Sequence, residues 1–197
     1  MDDNNLEHFA IDNCGIYCTV AGVKISHTDS AIIRSNYFRS NICTGLWFDL
    51  GCRWATVVKN AVIGNKKHGV YYEVSSQAII ASNLITNSGE AGLKISGSDR
   101  VRVYNNDFNR NHFNLGVYDD PRTPEDYSSN LGLTWDTTGT EIRNNLFSNT
   151  DGIGNFYDSN AANVNSAQML AAMDHNGWYR SSTSAPNNLV KWQVKLL

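Results

Sequence analysis

Gly45-Leu46-Trp47-Phe48-Asp49-Leu50 returns 24 residues later as Gly69-Val70-Tyr71-Tyr72-Glu73-Val74. The same frame recurs at Gly22-Val23-Lys24-Ile25, Gly92-Leu93-Lys94-Ile95 and Gly116-Val117-Tyr118-Asp119, so successive glycines stand 23, 24, 23 and 24 positions apart. A second series, Asn13, Asn36, Asn60, Asn83 and Asn106, keeps step at 23, 24, 23 and 23. Each of the last four follows a β-rich run: Ala31-Ile32-Ile33, Thr56-Val57-Val58, Ala78-Ile79-Ile80 and Val101-Arg102-Val103. Four or five residues further on comes another turn residue, Asn41, Asn65, Asn87 or Asn111. Two series in step over five repeats mark a repeat architecture. The period contains no stretch of helical length and lacks leucine-rich spacing. What fits is a coil of three short strands joined by turns at Gly and Asn, stacked about 4.8 Å apart into parallel sheets.

That coil accounts for an unusual composition. Of 197 residues 25 are Asn, beside 15 Gly and 3 Pro, and Asn favours turns over helix or strand. At a turn it tolerates the left-handed conformation, and its amide can donate to and accept from the Asn one coil away. A hydrophobic share of 41% excludes a disordered chain. With 16 basic against 19 acidic side chains and no basic block, the footprint of a nucleic-acid binder is missing. No apolar run reaches the roughly 18 residues of a membrane span, and residues 1–20 lack a signal-peptide pattern.

Asn145 follows Asn106 by 39 positions, and Glu141-Ile142-Arg143-Asn144-Asn145-Leu146-Phe147 restores the pattern, so one coil carries a 16-residue insertion at about 119–132. Excursions of that length are usually functional or disordered. The predicted organisation is coils over 1–151 and a tail over 152–197 that packs across the stack or caps it. In the tail Ser166–His175 reads as a short helix with Asn165 or Ser166 as N-cap and Gly177 as its stop. Leu189–Leu197 reads as a last strand.

The Gly-Leu-Trp-Phe-Asp-Leu and Gly-Val-Tyr-Tyr-Glu-Val coils, Gly-Leu-Lys-Ile at 92–95 and the Asn-Asn-x-Phe turns resemble right-handed parallel β-helix proteins of the pectate-lyase-like superfamily, in particular exported bacterial and phage types. The Gly-Trp-Tyr-Arg tail at 177–180 is similar too. The resemblance implies an all-β, single-stranded right-handed parallel β-helix of about five to six coils, with a short C-terminal helix. It implies an extracellular or cell-surface location, further coils upstream and a polysaccharide as partner. It names no activity, because the superfamily holds lyases, glycosidases, epimerases and inactive modules. The Asn-Thr-Asp, Gly-His-Gly and Arg-x-Lys signatures of polygalacturonases are absent, as is the Asp-Pro-His of alginate epimerases.

Alternation along a strand sorts the side chains. Counting from each glycine, positions one and three (Val23, Ile25, Leu46, Phe48, Val70, Tyr72, Leu93, Ile95, Val117) line the interior. Positions two (Lys24, Trp47, Tyr71, Lys94, Tyr118) and four (Ser26, Asp49, Glu73, Ser96, Asp120) face solvent. Three aromatics on that strip would stack against sugar rings. Asp49 and Glu73 fall on adjacent coils about 5 Å apart, where like charges raise one pKa and make a general acid. These two, with Lys94, are the candidate catalytic groups. Lys24, Trp47, Tyr71, Tyr118 and Asp120 are the candidate substrate contacts. The alternative is a stacked aromatic surface whose carboxylates pair with Lys24 and Lys94, in a non-catalytic glycan-binding or structural module. No cofactor is called for, although Asp120 beside Asp119 would add an oxygen to a Ca²⁺ site. His68, next to Gly69, is the histidine to test as a proton carrier. Cys14 or Cys18 could bridge to Cys43, with free buried thiols the alternative, and Cys52, aligned by count with Asp29 and Ser76, has no obvious partner.

Overall fold

The structure is a computed structural model that describes residues 1, 5–7, 19–119, 121–149, 154–158, 164–180 and 190–192. Strand β1 (Asn5–Glu7) precedes four coils of regular length. These are β2 (Ala21–Ser26), β3 (Ile32–Arg34) and β4 (Tyr37–Arg39); β5 (Thr44–Asp49), β6 (Arg53–Val58) and β7 (Ala61–Ile63); β8 (Val70–Glu73), β9 (Ser76–Ala81) and β10 (Leu84–Thr86); and β11 (Ala91–Ser96), β12 (Asp99–Tyr104) and β13 (Asp107–Asn109). Next come β14 (Phe113–Asp119), helix α1 (Asp126–Asn130), β15 (Thr140–Arg143) and β16 (Leu146–Ser148). The described chain ends with β17 (Gly154–Asp158), α2 (Ser166–Met169), β18 (Leu170–Asp174), β19 (Gly177–Tyr179) and β20 (Val190–Trp192).

Every strand pairs in parallel with its equivalent one coil away. The first sheet runs β2-β5-β8-β11-β14-β17-β20, the second β3-β6-β9-β12-β15-β18, and the third β1-β4-β7-β10-β13-β16-β19. This is a right-handed parallel β-helix. Its regular coils number four, slightly fewer than the five to six expected, because the insertion interrupts the next one and the strands beyond it are unevenly spaced. Those later strands nevertheless add rungs to the same three sheets. Among the described residues no helix is long and apolar enough to cross a membrane.

The interior is built from columns of like residues. Ile33, Val57, Ile80, Val103 and Ile142 form one; Phe38, Val62, Ile85, Phe108 and Phe147 form another, all essentially inaccessible. At the far end Phe108, Phe147 and Trp178 stack at centroid separations of 5.0 and 4.5 Å. Each such side chain contributes roughly 1.5–3 kcal/mol on burial.

Between the second and third sheets a column of buried amides joins the coils. The Nδ2 of Asn36, Asn60, Asn83, Asn106 and Asn145 donates to the Oδ1 of the next Asn, ending on Asn176, at 3.1, 3.0, 3.0, 3.0 and 3.0 Å. The left-handed turn residue is not this Asn but the one before it: Ser35, Lys59, Ser82, Asn105, Asn144 and His175 have φ of 53–57°. Conformation and hydrogen bonding, both expected of one Asn, are thus split between neighbours. The second turn repeats the split. Ser40, Gly64, Asn87 and Arg110 are left-handed, and the buried column behind them is Asn41, Asn65, Ser88 and Asn111. Asn87 makes the turn, as expected of it, whereas Asn41, Asn65 and Asn111 sit one place later in the buried column, where their equivalent in this coil is Ser88. The serine is too short to continue it, and its buried Oγ has no hydrogen-bond partner.

A third column sits between the first and second sheets. There the backbone N–H groups of Cys52, Ser75 and Ser98 donate to the hydroxyls of Ser75, Ser98 and Thr137. Cys52 therefore aligns with Ser75 rather than Ser76, because Gly51 is an extra residue in the turn after β5. The Cys52 thiol is free and buried, and burial pushes its pKa up. Cys43 is disulfide-bonded; Cys14 and Cys18 lie outside the described residues.

In the tail, Asn165 caps α2 with a reciprocal Gln168 contact, but the helix stops at Met169 instead of reaching His175. Leu170–Asp174 pairs with β15 instead, since the open edge of the second sheet offers a full set of backbone partners. Of the expected strand Leu189–Leu197, Val190–Trp192 is described and pairs with β17.

Candidate functional site

The outward face of the first sheet carries the candidate residues, and the register revises two of them. Lys24, Trp47, Tyr71 and Lys94 align as expected. In β14, however, Lys94 pairs with Gly116, and Ser96 pairs with Tyr118. Tyr118 thus belongs to the row of Asp49, Glu73 and Ser96, and the rung opposite Gly92 is Asn114. Gly116 leaves a gap in the aromatic column, and the Tyr118 ring folds into it: a Cβ on Gly116 would lie 2.4 Å from that ring. Asp120 lies outside the described residues.

The result is one continuous column. Lys24 Nζ lies 3.7 Å from the Trp47 ring centroid, Trp47 and Tyr71 stack at 5.3 Å and 20°, and Lys94 Nζ stands 4.6 Å from Tyr71 and 5.6 Å from Tyr118. Cation–π contacts of this kind contribute about 0.5–2 kcal/mol each, more where water is excluded.

The strip does not face open solvent, as alternation alone had implied. Trp47 is 8% exposed, and Tyr71, Asp49 and Glu73 are 7% exposed each. Both carboxylates are compensated. Asp49 pairs with Lys24 at 2.8 Å. Glu73 accepts from Trp47 Nε1 at 2.9 Å and from Arg122 of the insertion at 2.7 Å. A cation stands beside each member of the pair, which removes the uncompensated like-charge contact on which the general-acid argument rested. Burial, then the Glu73 charge, holds the Tyr71 phenol well above its usual pKa, so its hydroxyl stays protonated.

The described part of the insertion passes across several coils. Arg122 meets β8 at Glu73. In α1, Tyr127 packs edge-on against His27 at 4.5 Å, and Ser128 and Tyr127 crowd Gly51. On the way back Thr137 accepts from Ser98 N–H and donates to the Tyr118 carbonyl. Asp119, at the insertion's root, is buried and accepts the backbone N–H groups of Thr137 at 2.7 Å and Val164 at 3.2 Å. Arg122 was missed in the sequence because nothing local places it over Glu73, 49 residues away.

His68 is fixed as a neutral imidazole. Nδ1 accepts from Ala91 N–H at 3.2 Å and Nε2 faces Glu90 at 3.1 Å. Burial first, then Lys94 and Lys67, pushes its pKa down to about 3. It does not exchange protons near neutral pH.

Residues 2–166 match the family described as periplasmic copper-binding protein (NosD). The chain belongs to the NosD family. No curated protein matches it. Among solved structures, this NosD-family chain resembles a mutant of the periplasmic alginate epimerase AlgG at 18% identity, with TM-score 0.50, over 81% of this chain and 35% of that one. It also resembles the Azotobacter vinelandii mannuronan C-5 epimerase AlgE4 A-module, at 12% identity and TM-score 0.51, over 81% of this chain and 54% of that one. The chain thus spans about a third to a half of these proteins, and the likeness is one of fold. Among the described residues no group of three or more His, Cys, Asp or Glu could hold a metal ion. The described residues of this face therefore include no such donor set for the copper named in the family's description.

Proposed function

We propose that this chain is a carbohydrate-binding β-helix module of an envelope or extracellular protein, and that it holds an anionic polysaccharide along the first sheet without cleaving it. The observation that carries this reading is the row of cations edging the aromatic column. Lys24 and Arg122 keep 30% and 45% of their side chains in solvent, and Lys94 is half-buried between Tyr71 and Tyr118. Lys24 and Arg122 pair with Asp49 and Glu73 and still reach solvent, so a ligand carboxylate can approach them from outside. A uronate chain presents carboxylates to such cations and a ring edge to the half-buried Tyr118. Asp49 and Glu73 orient Lys24, Arg122 and Trp47, and this use of both carboxylates favours binding over acid–base chemistry. The alginate-acting neighbours and the periplasmic family description agree with a uronate partner and an envelope location.

Titration calorimetry with alginate oligomers tests the reading. The expected result is salt-sensitive binding that falls about tenfold or more in Lys94→Ala and Arg122→Ala, with no unsaturated uronate, new reducing end or C-5 epimer formed. Absence of binding, or turnover that Asp49→Ala and Glu73→Ala abolish, overturns it.

A further inference from the structure

The second sheet carries an open groove that the first-sheet reading does not use. It has a volume of about 340 Å³ and crosses β6, β9, β12 and β15 between Trp54, Gln77, Arg100 and Gly139 on one side and Thr56, Ile79, Arg102 and Glu141 on the other. Trp54 decides its character. It occupies a left-handed position after the first turn where other coils place Ser30, Gln77 and Arg100, with φ of 52–56° in all four. The residue is 45% exposed, and its ring is backed by the Arg53 guanidinium at 4.4 Å. Ile79, one coil further and also exposed, extends the apolar floor. A large indole at a polar, solvent-facing turn position adds nothing to the core.

The charges around this floor cancel, Arg53, Arg100, Arg102 and Arg143 being matched by Asp29, Asp99, Glu141 and Asp174. Arg53 pairs with Asp29, and Arg100 pairs with Asp99 at 2.8 Å and also donates to Ser76 Oγ. Glu141 lies 3.7 Å from both Arg102 and Arg143 and accepts from Tyr104, and Arg143 also faces Asp174 at 3.5 Å. What remains is a set of planar donors and acceptors, those of Gln77, Arg100, Arg102 and Glu141, facing solvent beside an indole and an aliphatic side chain. That combination matches an uncharged pyranose. The apolar face of such a ring lies on the indole, and its hydroxyls, each both donor and acceptor, bridge neighbouring planar groups. From this we infer that the groove is a second saccharide site, for a neutral glycan whose ring stacks on Trp54 with hydroxyls held by Gln77, Arg102 and Glu141. The inference stands on its own geometry and does not require the first sheet to bind anything.

Cellohexaose is the probe, with titration calorimetry and acrylamide quenching of tryptophan fluorescence as readouts. The full chain should bind it, with quenching reduced on binding. Trp54→Ala should weaken binding about tenfold or more, Trp54→Phe should retain most of it, and Arg102→Ala should weaken it at unchanged melting temperature. Lys94→Ala and Arg122→Ala should leave cellohexaose binding unchanged, which separates this site from the first-sheet face. No binding of cellohexaose, or equal binding by Trp54→Ala, overturns the inference.

Discussion

Replacing Asn83 by Ala tests what holds the coils in register. The side chain is 2% exposed. Its Oδ1 accepts from the backbone N–H of Asn60 at 2.9 Å and from Asn60 Nδ2 at 3.0 Å. Its Nδ2 donates to Val57 O at 2.9 Å and Asn106 Oδ1 at 3.0 Å. Truncation leaves the Asn60 backbone N–H without its acceptor, while Asn60 Nδ2 keeps its bond to Ile33 O at 3.0 Å, the Val57 carbonyl loses one donor, and Asn106 Oδ1 keeps the bond from Asn83 N–H at 3.0 Å. An orphaned buried group costs about 1–3 kcal/mol and each further lost hydrogen bond about 0.5–1.5 kcal/mol, so with water entering part of the space the expected loss is about 2–4 kcal/mol. Ser82, the preceding residue, has the left-handed φ of 56° and is exposed. Ser82→Gly relieves about 1 kcal/mol of backbone strain and adds a similar entropy cost, so it should shift stability by less than about 1 kcal/mol. Urea denaturation of both variants, compared by midpoint at unchanged slope, measures the difference. An Asn83→Ala loss below about 1 kcal/mol, or a Ser82→Gly loss as large as that of Asn83→Ala, refutes the division of labour between the two positions.

Three further outcomes are expected. Ser88→Asn should complete the second amide column between Asn65 and Asn111 and raise stability by about 1 kcal/mol, read as a higher urea midpoint; a fall would show that the site near Ile85 has no room. Gly51→Ala places a Cβ at φ 75° and 2.8 Å from Ser128 Oγ, so α1 should lift and limited proteolysis within 121–139 should accelerate, whereas an unchanged digest counts against the packing. In the unfolded chain His68 takes a proton near pH 6.5, but in the folded chain only near 3. The unfolded state therefore binds more protons between those values, and stability falls with acidity by up to about 1.4 kcal/mol per pH unit. His68→Gln should remove that part of the slope, and identical slopes in the two proteins would contradict the assignment.

The fold was legible because its determinants are local and repeated. Glycine, a β-rich run and Asn at fixed offsets report strand, turn and rung directly, and the inward columns follow from alternation. Deviations of one or two residues were not legible. Gly51 lengthens a turn and moves Cys52 opposite Ser75, the register of β14 moves Tyr118 into the carboxylate row, and Ser88, not Asn87, stands in line with Asn41, Asn65 and Asn111. Each preserves the counted period while changing which residue meets which, and only backbone pairing reveals it. The strip's burial was illegible for another reason. Alternation says which way Trp47 and Glu73 point, but the covering side chain, Arg122, comes from a segment outside the period. The short α2 has the same origin: Ser166–His175 is helical in pattern, but the sheet edge competes for Leu170–Asp174.

The insertion also changes how the stack should behave. In a coil-by-coil solenoid each repeat touches only its neighbours, so stability is close to a sum of local terms and ends can fray independently. Here one segment leaves β14, meets β8 through Arg122, reaches the turns after β2 and β5 through Tyr127 and Ser128, and returns to the turn after β11 through Thr137. Opening any of these coils therefore disturbs a contact shared with the others, which makes the four regular coils more cooperative than their pairwise rungs alone provide. The same segment lays a cation on Glu73, at the centre of the candidate binding face. A ligand carboxylate competing for Arg122 would thus loosen the strap's hold on β8, tying occupancy of the face to the coupling between coils.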